Sequence, residues 1–316
     1  MRIMILTAND PNSNTSWEKE VSKVEETTIE IIYKPINSFF LRIIRKMHRK
    51  FPIPRYDIWF GEWWKNLDDV DMIIAVAYDS TYRIFRMLDK KYPNIRKILY
   101  WWDPVEKTIS PDRVSSKICE KWTFNRQDAL KYHMLYNPQF FAKNYEECMK
   151  FKKEKKQYDI VFFGAIGGKM YRSRIKMLDE FYAFCQKNDI KTCFGLWYRN
   201  RLGKKRPFEL KYYLNEEEYY KIIMKSTAML DLTEPNSEWL TLRPIEALYL
   251  EKKLITNNKY IINEMLYNKN NIFVLGMDNL KDLRLFLESP YSKNKPEVKE
   301  YYSTKMWLNR FINGEG

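Results

Sequence analysis

The chain has 316 residues, 45% of them hydrophobic and 16% aromatic, which is enough for two compact domains and too much for one small α/β layer. The formal net charge of +14 suits a nucleic acid, an anionic membrane surface or a phosphorylated substrate as partner. A biased genome composition rich in Lys, Asn, Ile and Tyr is the simpler explanation of that charge. Four scattered Cys indicate neither a zinc site nor a disulfide framework, and two His exclude a histidine metal cluster.

Targeting signals are missing from the sequence. The first residues, MRIMILTANDPN, show no signal-peptide pattern, and no stretch has the apolar length of a transmembrane helix. The scattered Cys residues fit a reducing compartment. We therefore expect a protein of the cytoplasm, either soluble or peripheral to the inner face of the cytoplasmic membrane.

Short apolar strands alternate with helical segments through the first half of the chain. The predicted strands are Arg2–Thr7, Thr28–Tyr33, Asp71–Ala77, Ile95–Trp101 and Lys121–Asn125, and the predicted helices are Asn37–Phe51, Thr81–Lys91 and Pro111–Cys119. Continuous apolar strands separated by helices are typical of a parallel sheet that is covered on both faces.

The helix predicted at Asn37–Phe51 is strongly amphipathic. Its apolar face consists of Phe39, Phe40, Ile43, Ile44, Met47 and Phe51, and its other face consists largely of Arg42, Arg45, Lys46, Arg49 and Lys50. Such a helix can lie on an anionic membrane with its apolar face down. The simpler interpretation is that it packs on the first sheet with its basic face in solvent.

A polar, highly charged stretch between Pro138 and Gln157 interrupts the pattern, and we place a domain boundary there, near residue 150. The predicted domains are residues 1–150 and 151–316. The second half again alternates, with predicted strands Tyr158–Gly164, Ile190–Leu196, Ala228–Leu232, Lys253–Thr256 and Asn271–Leu275 and predicted helices Tyr171–Asn188, Leu214–Lys225, Arg243–Leu250, Asn279–Leu287 and Lys295–Asn313. Two Rossmann-like halves of this kind bind ligands at the carboxyl ends of their strands.

Residues 240–257, LTLRPIEALYLEKKLITN, place several phosphate- and sugar-binding features on one helix. The helix is predicted to begin near Thr241 and Leu242, and the free N–H groups of its first turn form an anion site. Arg243 adds a fixed positive charge that suits a diphosphate, and Glu246 lies one turn further on, where a carboxylate can accept from ribose hydroxyls. The alternative is a surface ion pair between Arg243 and Glu246, which are spaced i,i+3.

A glycine-containing turn is predicted after the first strand of the second domain. Gly164, Gly167 and Gly168 would let the backbone approach phosphate groups, and Lys169 and Arg172 would add positive charge. The spacing matches neither GxGxxG nor a P-loop. The alternative is an ordinary turn followed by a solvated, basic helix start.

The order of strand, loop, helix with an internal Glu–Ala, and apolar strand resembles the C-terminal half of GT-B glycosyltransferases. The segments TLRPIEAL and KKLITNN are similar, more narrowly, to bacterial glycosyltransferases of lipopolysaccharide or capsule assembly, and so are FNRQDALKY, YNPQF and FFGAIGGK. One departure is that Glu251–Leu254 replaces the Gly-x-Pro that many GT-B enzymes have after this helix.

The resemblance implies an α/β fold of two Rossmann-like domains with a central cleft, the GT-B type, and a C-terminal helix that crosses back to the first domain. It implies that the first domain, residues 1–150, binds the acceptor and that the second, residues 151–316, binds a nucleotide sugar. It also implies that Glu246 binds the nucleotide ribose and that the helix start binds the diphosphate.

An inverting transferase needs a general base, and with so few His residues a carboxylate is the expected one. Asp10, Asp79 and Asp103 each follow an apolar segment of the first domain and are the candidates. A helix N-cap is the commoner use of Asp at such places, and a retaining enzyme would not need these carboxylates as base.

These features predict a hexosyl- or deoxyhexosyltransferase that moves a sugar from a nucleotide-diphosphate donor to a lipid-linked or oligosaccharide precursor of a surface glycan. No DxD motif ends a strand, so neither a metal nor a cofactor is expected. We expect peripheral contact with an anionic membrane and no nucleic-acid partner. Two alternatives are a basic nucleic-acid-binding protein, although no known motif is present, and a non-catalytic GT-B-like protein that binds a glycan or a partner enzyme.

Overall fold

The computed structural model describes residues 1–7, 16–24, 26–51, 55–143, 145–152, 154–166, 172–198, 206–210, 214–234 and 237–314. The chain forms two compact units, one of Met1–Pro138 with Trp307–Gly316 and the other of Gln139–Met306. The first change of unit therefore comes before the predicted position near residue 150.

The first unit is built on a parallel sheet. Its strands are β1 (Ile3–Thr7), β2 (Thr27–Ile31), β3 (Met72–Val76), β4 (Arg96–Trp101), β5 (Glu120–Thr123) and β6 (Leu135–Tyr136), in the spatial order β2-β1-β3-β4-β5-β6. Its helices are α1 (Ser16–Val21), α2 (Phe39–Lys50), α3 (Asp79–Lys91) and α4 (Arg126–Tyr132). All neighbouring strands run parallel, so their carboxyl ends share one edge.

The last helix, α11 (Thr304–Asn313), returns to the first unit from Trp307 onward. The Phe311 ring lies 4.9 Å from the Trp122 ring of β5, and Asn137 Nδ2 donates to the Trp307 carbonyl at 2.9 Å. The predicted crossing of the C-terminal helix to the first domain is confirmed.

Two helix predictions were wrong in their extent. Pro111–Cys119 contains only a single 3₁₀ turn at Pro111–Arg113, because the backbone N–H of Ser115 donates instead to the Tyr82 hydroxyl at 3.0 Å. The predicted tail helix Lys295–Asn313 is two helices, α10 (Pro296–Tyr301) and α11.

The second unit contains a second parallel sheet. Its strands are β7 (Tyr158–Ile166), β8 (Thr192–Tyr198), β9 (Ser226–Asp231), β10 (Lys253–Thr256) and β11 (Ile272–Val274), in the order β11-β10-β9-β7-β8. Its helices are α5 (Tyr145–Met149), α6 (Arg172–Lys187), α7 (Glu216–Met224), α8 (Leu242–Tyr249), α9 (Leu283–Glu288) and α10. Because β9 lies between β7 and β10, the helix after β9 begins at the middle of the sheet's carboxyl edge.

The early change of unit has a packing cause. The Phe141 ring stacks on Tyr249 of α8 at 4.2 Å, and the Phe141 N–H donates to the Tyr302 carbonyl at 2.8 Å. Cys148 is fully buried in the same apolar cluster. The charged segment before β7 therefore belongs to the second unit through a few apolar side chains, which its polar composition conceals.

Within the ranges given above, none of the helices is both long and apolar enough to cross a bilayer.

Lys252 is buried just after α8, at the edge of the sheet opposite the carboxyl ends. Its Nζ donates to the carbonyls of Met224 and Ser226, both at 2.9 Å. Burial, together with the nearby charge of Lys156, lowers the pKa of Lys252 to about 7. Below pH 7 the buried Lys252 amine is protonated, and the native state is destabilised by its charge. Between pH 7 and the ordinary lysine pKa, the amine is protonated in the unfolded chain but not in the native state.

We expect the free energy of unfolding to rise between pH 7 and the ordinary lysine pKa of about 10.4, with a slope that Lys252→Met reduces. Between pH 7 and pH 9 the difference between the two proteins should change by roughly 2 kcal/mol. Urea titrations at both pH values measure it, with the exposed Lys90→Met as control. Equal slopes in wild type and Lys252→Met would contradict the prediction.

Candidate functional site

A buried carboxylate organises the carboxyl edge of the second sheet. Asp231, the last residue of β9, is 1% exposed. Its Oδ1 accepts from the Thr241 hydroxyl at 3.1 Å and pairs with Arg243 Nη1 at 3.5 Å, while its Oδ2 accepts from the Thr256 hydroxyl at 3.3 Å. Asp231 thus ties the start of α8 to the ends of β9 and β10.

Arg243 lies in the first turn of α8 and is held from several sides. Its Nη2 donates to the Phe163 carbonyl at 2.6 Å, and its guanidinium carbon lies 5.2 Å from the centroid of the Phe162 ring. Burial alone lowers the pKa of Arg243, but the neighbouring Tyr219 and the carboxylates of Asp231 and Glu246 raise it above its ordinary value. The guanidinium therefore remains charged and has a fixed orientation.

Glu246 lies one turn after Arg243 and is 9% exposed. Its Oε2 accepts from the Tyr219 hydroxyl at 2.8 Å. Burial, and the negative charge of Glu246 next to it, raise the pKa of Tyr219, so this hydroxyl keeps its proton and remains a donor. The alternative of a surface ion pair between Arg243 and Glu246 is wrong, because both side chains are largely buried and each has another partner.

A cavity of about 320 Å³ opens on these side chains. It is lined by Lys143, Phe163, Gly164, Trp197, Leu210, Leu214, Asn215, Glu216, Tyr219, Arg243 and Glu246. Its volume lies at the small end of the range for small-molecule sites, and it combines apolar walls with a few charged groups. It can hold a planar or apolar group between the walls and an anion beside Arg243, while Lys143 is paired with Glu216 at 3.2 Å.

Of the three glycines predicted to form a turn, only Gly164 is among the described residues, and it lies in a strand. Gly164 is within β7, paired with Leu196, and a Cβ added to it would lie 3.1 Å from Phe162 Cζ. Gly167, Gly168 and Lys169 lie outside the described residues. Arg172 is the first residue of α6, and its side chain also lies outside the description.

Thr241 and Leu242 are where the helix start was predicted. Thr241 occupies the N-cap position of α8, and its hydroxyl donates to Asp231 instead of capping the helix. Leu242 is the first helical residue. The predicted beginning of the helix is confirmed, with its first-turn N–H groups at the carboxyl edge of the sheet.

In the first unit, the candidate base residues lie at the carboxyl edge of β3 and β4. Asp79 opens α3, with Tyr78 as the N-cap, and pairs with Arg113 at 3.1 Å on the surface. Asp103 follows β4 and is exposed, and the N-cap of the next turn is Pro104. Burial raises the pKa of Tyr78, and the negative charge of Asp103 raises it further. Tyr78 and Asp103 are therefore neighbours.

Neither Asp79 nor Asp103 is an N-cap, so that alternative is wrong for both. Asp10 lies outside the described residues. The role of these carboxylates as a base stays a prediction.

Sequence reasoning did not identify several residues of the site. Asp231 and Tyr219 are far in sequence from Arg243 and Glu246, and only the fold brings them together. Ser237 and Glu238 lie on the loop between β9 and α8 and are not among the residues that line the cavity. Ser237 Oγ and Glu238 Oε2 are buried without a hydrogen-bond partner among the described residues, while Glu238 Oε1 accepts from the Tyr260 hydroxyl.

Among the described residues, no three His, Cys, Asp or Glu side chains are grouped closely enough to hold a metal ion. All four Cys are free thiols, and three of them are buried.

Several solved structures match the fold over nearly the whole chain. An alpha-glucosyltransferase, solved with UDP and a 13-mer DNA, matches with a TM-score of 0.60 and 14% identity over 99% of both chains. OtsA in its apo form matches with a TM-score of 0.61 and 10% identity over 99% of both chains. The UDP-GlcNAc 2-epimerase of Neisseria meningitidis, bound to UDP-GlcNAc, matches with a TM-score of 0.53 and 11% identity over 99% of this chain and 100% of the other.

At these identities the likeness establishes the fold. The chain has two Rossmann-like units of the GT-B type, as the resemblance in the sequence implies. No protein-family model and no curated protein matches the sequence.

Proposed function

We propose that the protein transfers a hexosyl or deoxyhexosyl group from a nucleotide-diphosphate sugar to a precursor of a surface glycan, of the lipopolysaccharide or capsule kind, without a metal ion. The observation that carries the donor part is the cavity bordered by Arg243, Glu246 and Tyr219 at the carboxyl edge of the second sheet. The GT-B-type fold supports it, since open α/β sheets bind ligands at this edge.

The donor roles follow from the chemistry of each group. The diphosphate lies against the first turn of α8, where backbone N–H groups and Arg243 favour negative charge. Glu246 accepts from the ribose hydroxyls, and the cavity walls at Trp197 and Phe163 receive the nucleoside. When the sugar leaves, negative charge develops on the diphosphate, and the fixed guanidinium stabilises that charge without having to reorient.

Sugar and acceptor contacts are proposed for other side chains. Ser237 Oγ and Glu238 Oε2, which are buried without a partner among the described residues, suit hydroxyl groups of the donor sugar. The base, in an inverting reaction, is Asp103, because Asp79 is paired with Arg113 and Asp103 has no ion pair among the described residues. Gly167, Gly168, Lys169 and Arg172 extend the phosphate site.

The acceptor is a lipid-linked or oligosaccharide precursor in the cytoplasm, at the inner face of the cytoplasmic membrane. Peripheral contact with an anionic membrane would place the protein beside such an acceptor. The basic composition, with 55 Lys and Arg against 41 Asp and Glu, supports this location.

Glu246→Gln tests the donor site. Glutamine keeps the shape but loses the charge that strengthens hydrogen bonds to ribose, so we expect the Kd of the preferred nucleotide sugar to rise roughly tenfold to a hundredfold. A thermal-shift screen of UDP-, GDP-, CMP- and dTDP-linked sugars identifies the ligand, and calorimetry measures the Kd. Glu217→Gln, an exposed carboxylate on α7, is the matched control.

Three results would contradict the proposal in different ways. If no nucleotide sugar stabilises the protein, the proposed donor site is wrong. If Glu246→Gln and Glu217→Gln bind the nucleotide sugar with equal affinity, Glu246 does not bind the ribose. Nucleotide binding without transfer or donor hydrolysis would favour a non-catalytic protein that binds a glycan or partner enzyme.

One observation favours a second acceptor class. The alpha-glucosyltransferase that matches over 99% of both chains was solved with a 13-mer DNA as well as UDP, and the present chain carries a net charge of +14. Under this alternative the same donor site serves a nucleic-acid acceptor. Oligonucleotide binding that weakens steeply with salt, together with sugar transfer to DNA, would support it over a glycan acceptor.

A further inference from the structure

Helix α2 contacts the first unit along one side, as far as its described residues show. His48 is buried, and its Nδ1 accepts from Trp59 Nε1 at 2.9 Å. Arg83 Nη1 donates to the His48 carbonyl at 3.0 Å, and Ile44 packs against the apolar core of the unit. Arg45 donates to a backbone carbonyl at 3.0 Å. These contacts fix the helix on the unit and turn its opposite side outward.

The outward side of α2 carries large apolar side chains. Phe39 is 73% exposed, Phe40 68%, Met47 54% and Ile43 41%. Residues 39, 43 and 47 are spaced i,i+4,i+8 and form one stripe along the helix, with Phe40 beside it. Single exposed apolar residues are ordinary, but a contiguous apolar patch marks a surface that contacts something. The simpler interpretation, in which the apolar face of this helix packs on the sheet, is therefore wrong.

The same region is strongly and uniformly basic. From Ile31 to Tyr56 the chain has seven Lys or Arg and no Asp or Glu. Arg42 and Lys46 are exposed on the helix surface next to the apolar stripe. The partner of this surface must therefore offer negative charge and an apolar phase together.

We propose that α2 is an interfacial helix that inserts Phe39, Ile43 and Met47 into an anionic phospholipid membrane, with Arg42 and Lys46 at the headgroups. A bilayer supplies both of the required properties. A nucleic acid supplies phosphates but no apolar phase, and a second copy of the chain would bring the same positive charge to the contact. The helix lies in the plane of the membrane surface and does not cross it.

This membrane contact is independent of the donor site, since it uses only side chains of α2. It fixes the first unit at the membrane whatever sugar or acceptor the protein handles. Nucleotide-sugar binding in solution and vesicle binding can therefore succeed or fail separately.

The first test is co-sedimentation of the full chain with vesicles of equal parts phosphatidylglycerol and phosphatidylcholine. The triple variant Phe39→Ser, Ile43→Ser, Met47→Ser is expected to lose at least about tenfold in partitioning, because it removes the side chains that enter the acyl region. Leu130→Ser with Leu285→Ser is the matched control, since these leucines are 80% and 69% exposed on other helices.

The second test removes charge. Arg42→Gln with Lys46→Gln is expected to weaken binding by about fivefold per residue on anionic vesicles. Lys90→Gln with Lys117→Gln changes the net charge by the same amount away from α2 and should have a much smaller effect. Binding should be weaker on vesicles of phosphatidylcholine alone and should fall as salt is raised.

The proposal is overturned if the triple variant, folded by circular dichroism, binds anionic vesicles as wild type does. It is overturned equally if the leucine control loses as much binding as the triple variant. If wild type does not bind vesicles but forms a dimer, and the triple variant is a monomer, the stripe is the contact surface for a second copy of the chain. If wild type is a monomer that does not bind vesicles, the membrane proposal is wrong and the partner of the stripe is the acidic surface of another protein.

Discussion

Replacing Arg243 with methionine is expected to lower kcat/KM for sugar transfer by roughly a hundredfold to a thousandfold, the size of effect seen when one preorganised charge-stabilising group is lost. The guanidinium is held by Asp231 and by the Phe163 carbonyl, so it does not need to move as charge develops on the leaving diphosphate. Steady-state kinetics with the nucleotide sugar found in the thermal-shift screen measures the effect.

The control for this variant must remove the partner charge as well. Arg243→Met leaves Asp231 buried and unpaired, so the double variant Arg243→Met, Asp231→Asn provides a folded protein without either charge. Arg284→Met removes an arginine of the same unit away from the site. If the double variant is folded and keeps wild-type kcat/KM, Arg243 has no part in binding the diphosphate.

Local pattern was sufficient for most of the fold. Strand β10 has the predicted bounds, Lys253–Thr256, because its apolar residues are enclosed by polar turns on both sides. Helix α3 begins at Asp79, two residues before the predicted start at Thr81. The Tyr78 N–H donates a hydrogen bond to the Thr81 hydroxyl and so extends the helix at its N-terminus. Such strands and helices can be predicted from local sequence alone, from the period of their hydrophobic residues and from the residues at their ends.

The wrong predictions share a different cause. The helix predicted at Pro111–Cys119 is lost to a contact with Tyr82, on a helix far away in sequence. In the same way, the segment after Pro138 joins the second unit, where Phe141 stacks on Tyr249, more than a hundred residues later. Contacts between distant segments decide these points, and a single sequence does not show which distant residues meet.

The candidate site divides in the same way. Arg243, Glu246 and the helix start at Thr241 lie within one short block, so residue spacing was enough to select them. Their partners Asp231 and Tyr219 come from β9 and α7, and only the parallel order of the sheet brings these elements to one edge. A buried acid at the end of an apolar strand, as in AMLDL, is the signal that would have identified Asp231.

Glu251, at the place of the Gly in Gly-x-Pro, keeps the backbone conformation that a glycine would favour there. Glu251 has a φ of 53°, the left-handed conformation that favours glycine, and Lys252 N–H donates to the Ala247 carbonyl at 2.9 Å to close the helix end. Glu251 pairs with Lys152 at 3.3 Å and Lys299 at 3.5 Å, which offsets part of the backbone cost. Lys252 points to the opposite edge of the sheet, so the change leaves the first turn of α8 intact.

Asp231→Ala is expected to reduce the free energy of unfolding by roughly 3–5 kcal/mol, because it leaves the Arg243 charge buried without its carboxylate. The hydroxyls of Thr241 and Thr256 lose their acceptor at the same time. Asp179 provides the comparison: it forms a bidentate pair with Arg206 on the surface, at 2.7 and 2.8 Å, with 40% of its side chain exposed. Its replacement by alanine should cost about 1 kcal/mol or less, since exposed pairs contribute little.

Urea titrations of the two variants distinguish burial from geometry as the source of stability. The Asp179–Arg206 pair has the shorter contacts, so a stability order set by distance would make Asp179→Ala the more harmful change. If burial decides the loss of stability, Asp231→Ala lowers the free energy of unfolding by at least about 2 kcal/mol more than Asp179→Ala does. Equal losses, or a larger loss at Asp179, would show that Asp231 does not hold Arg243 in place. The preorganised charge on which the proposed transfer reaction depends would then need another origin.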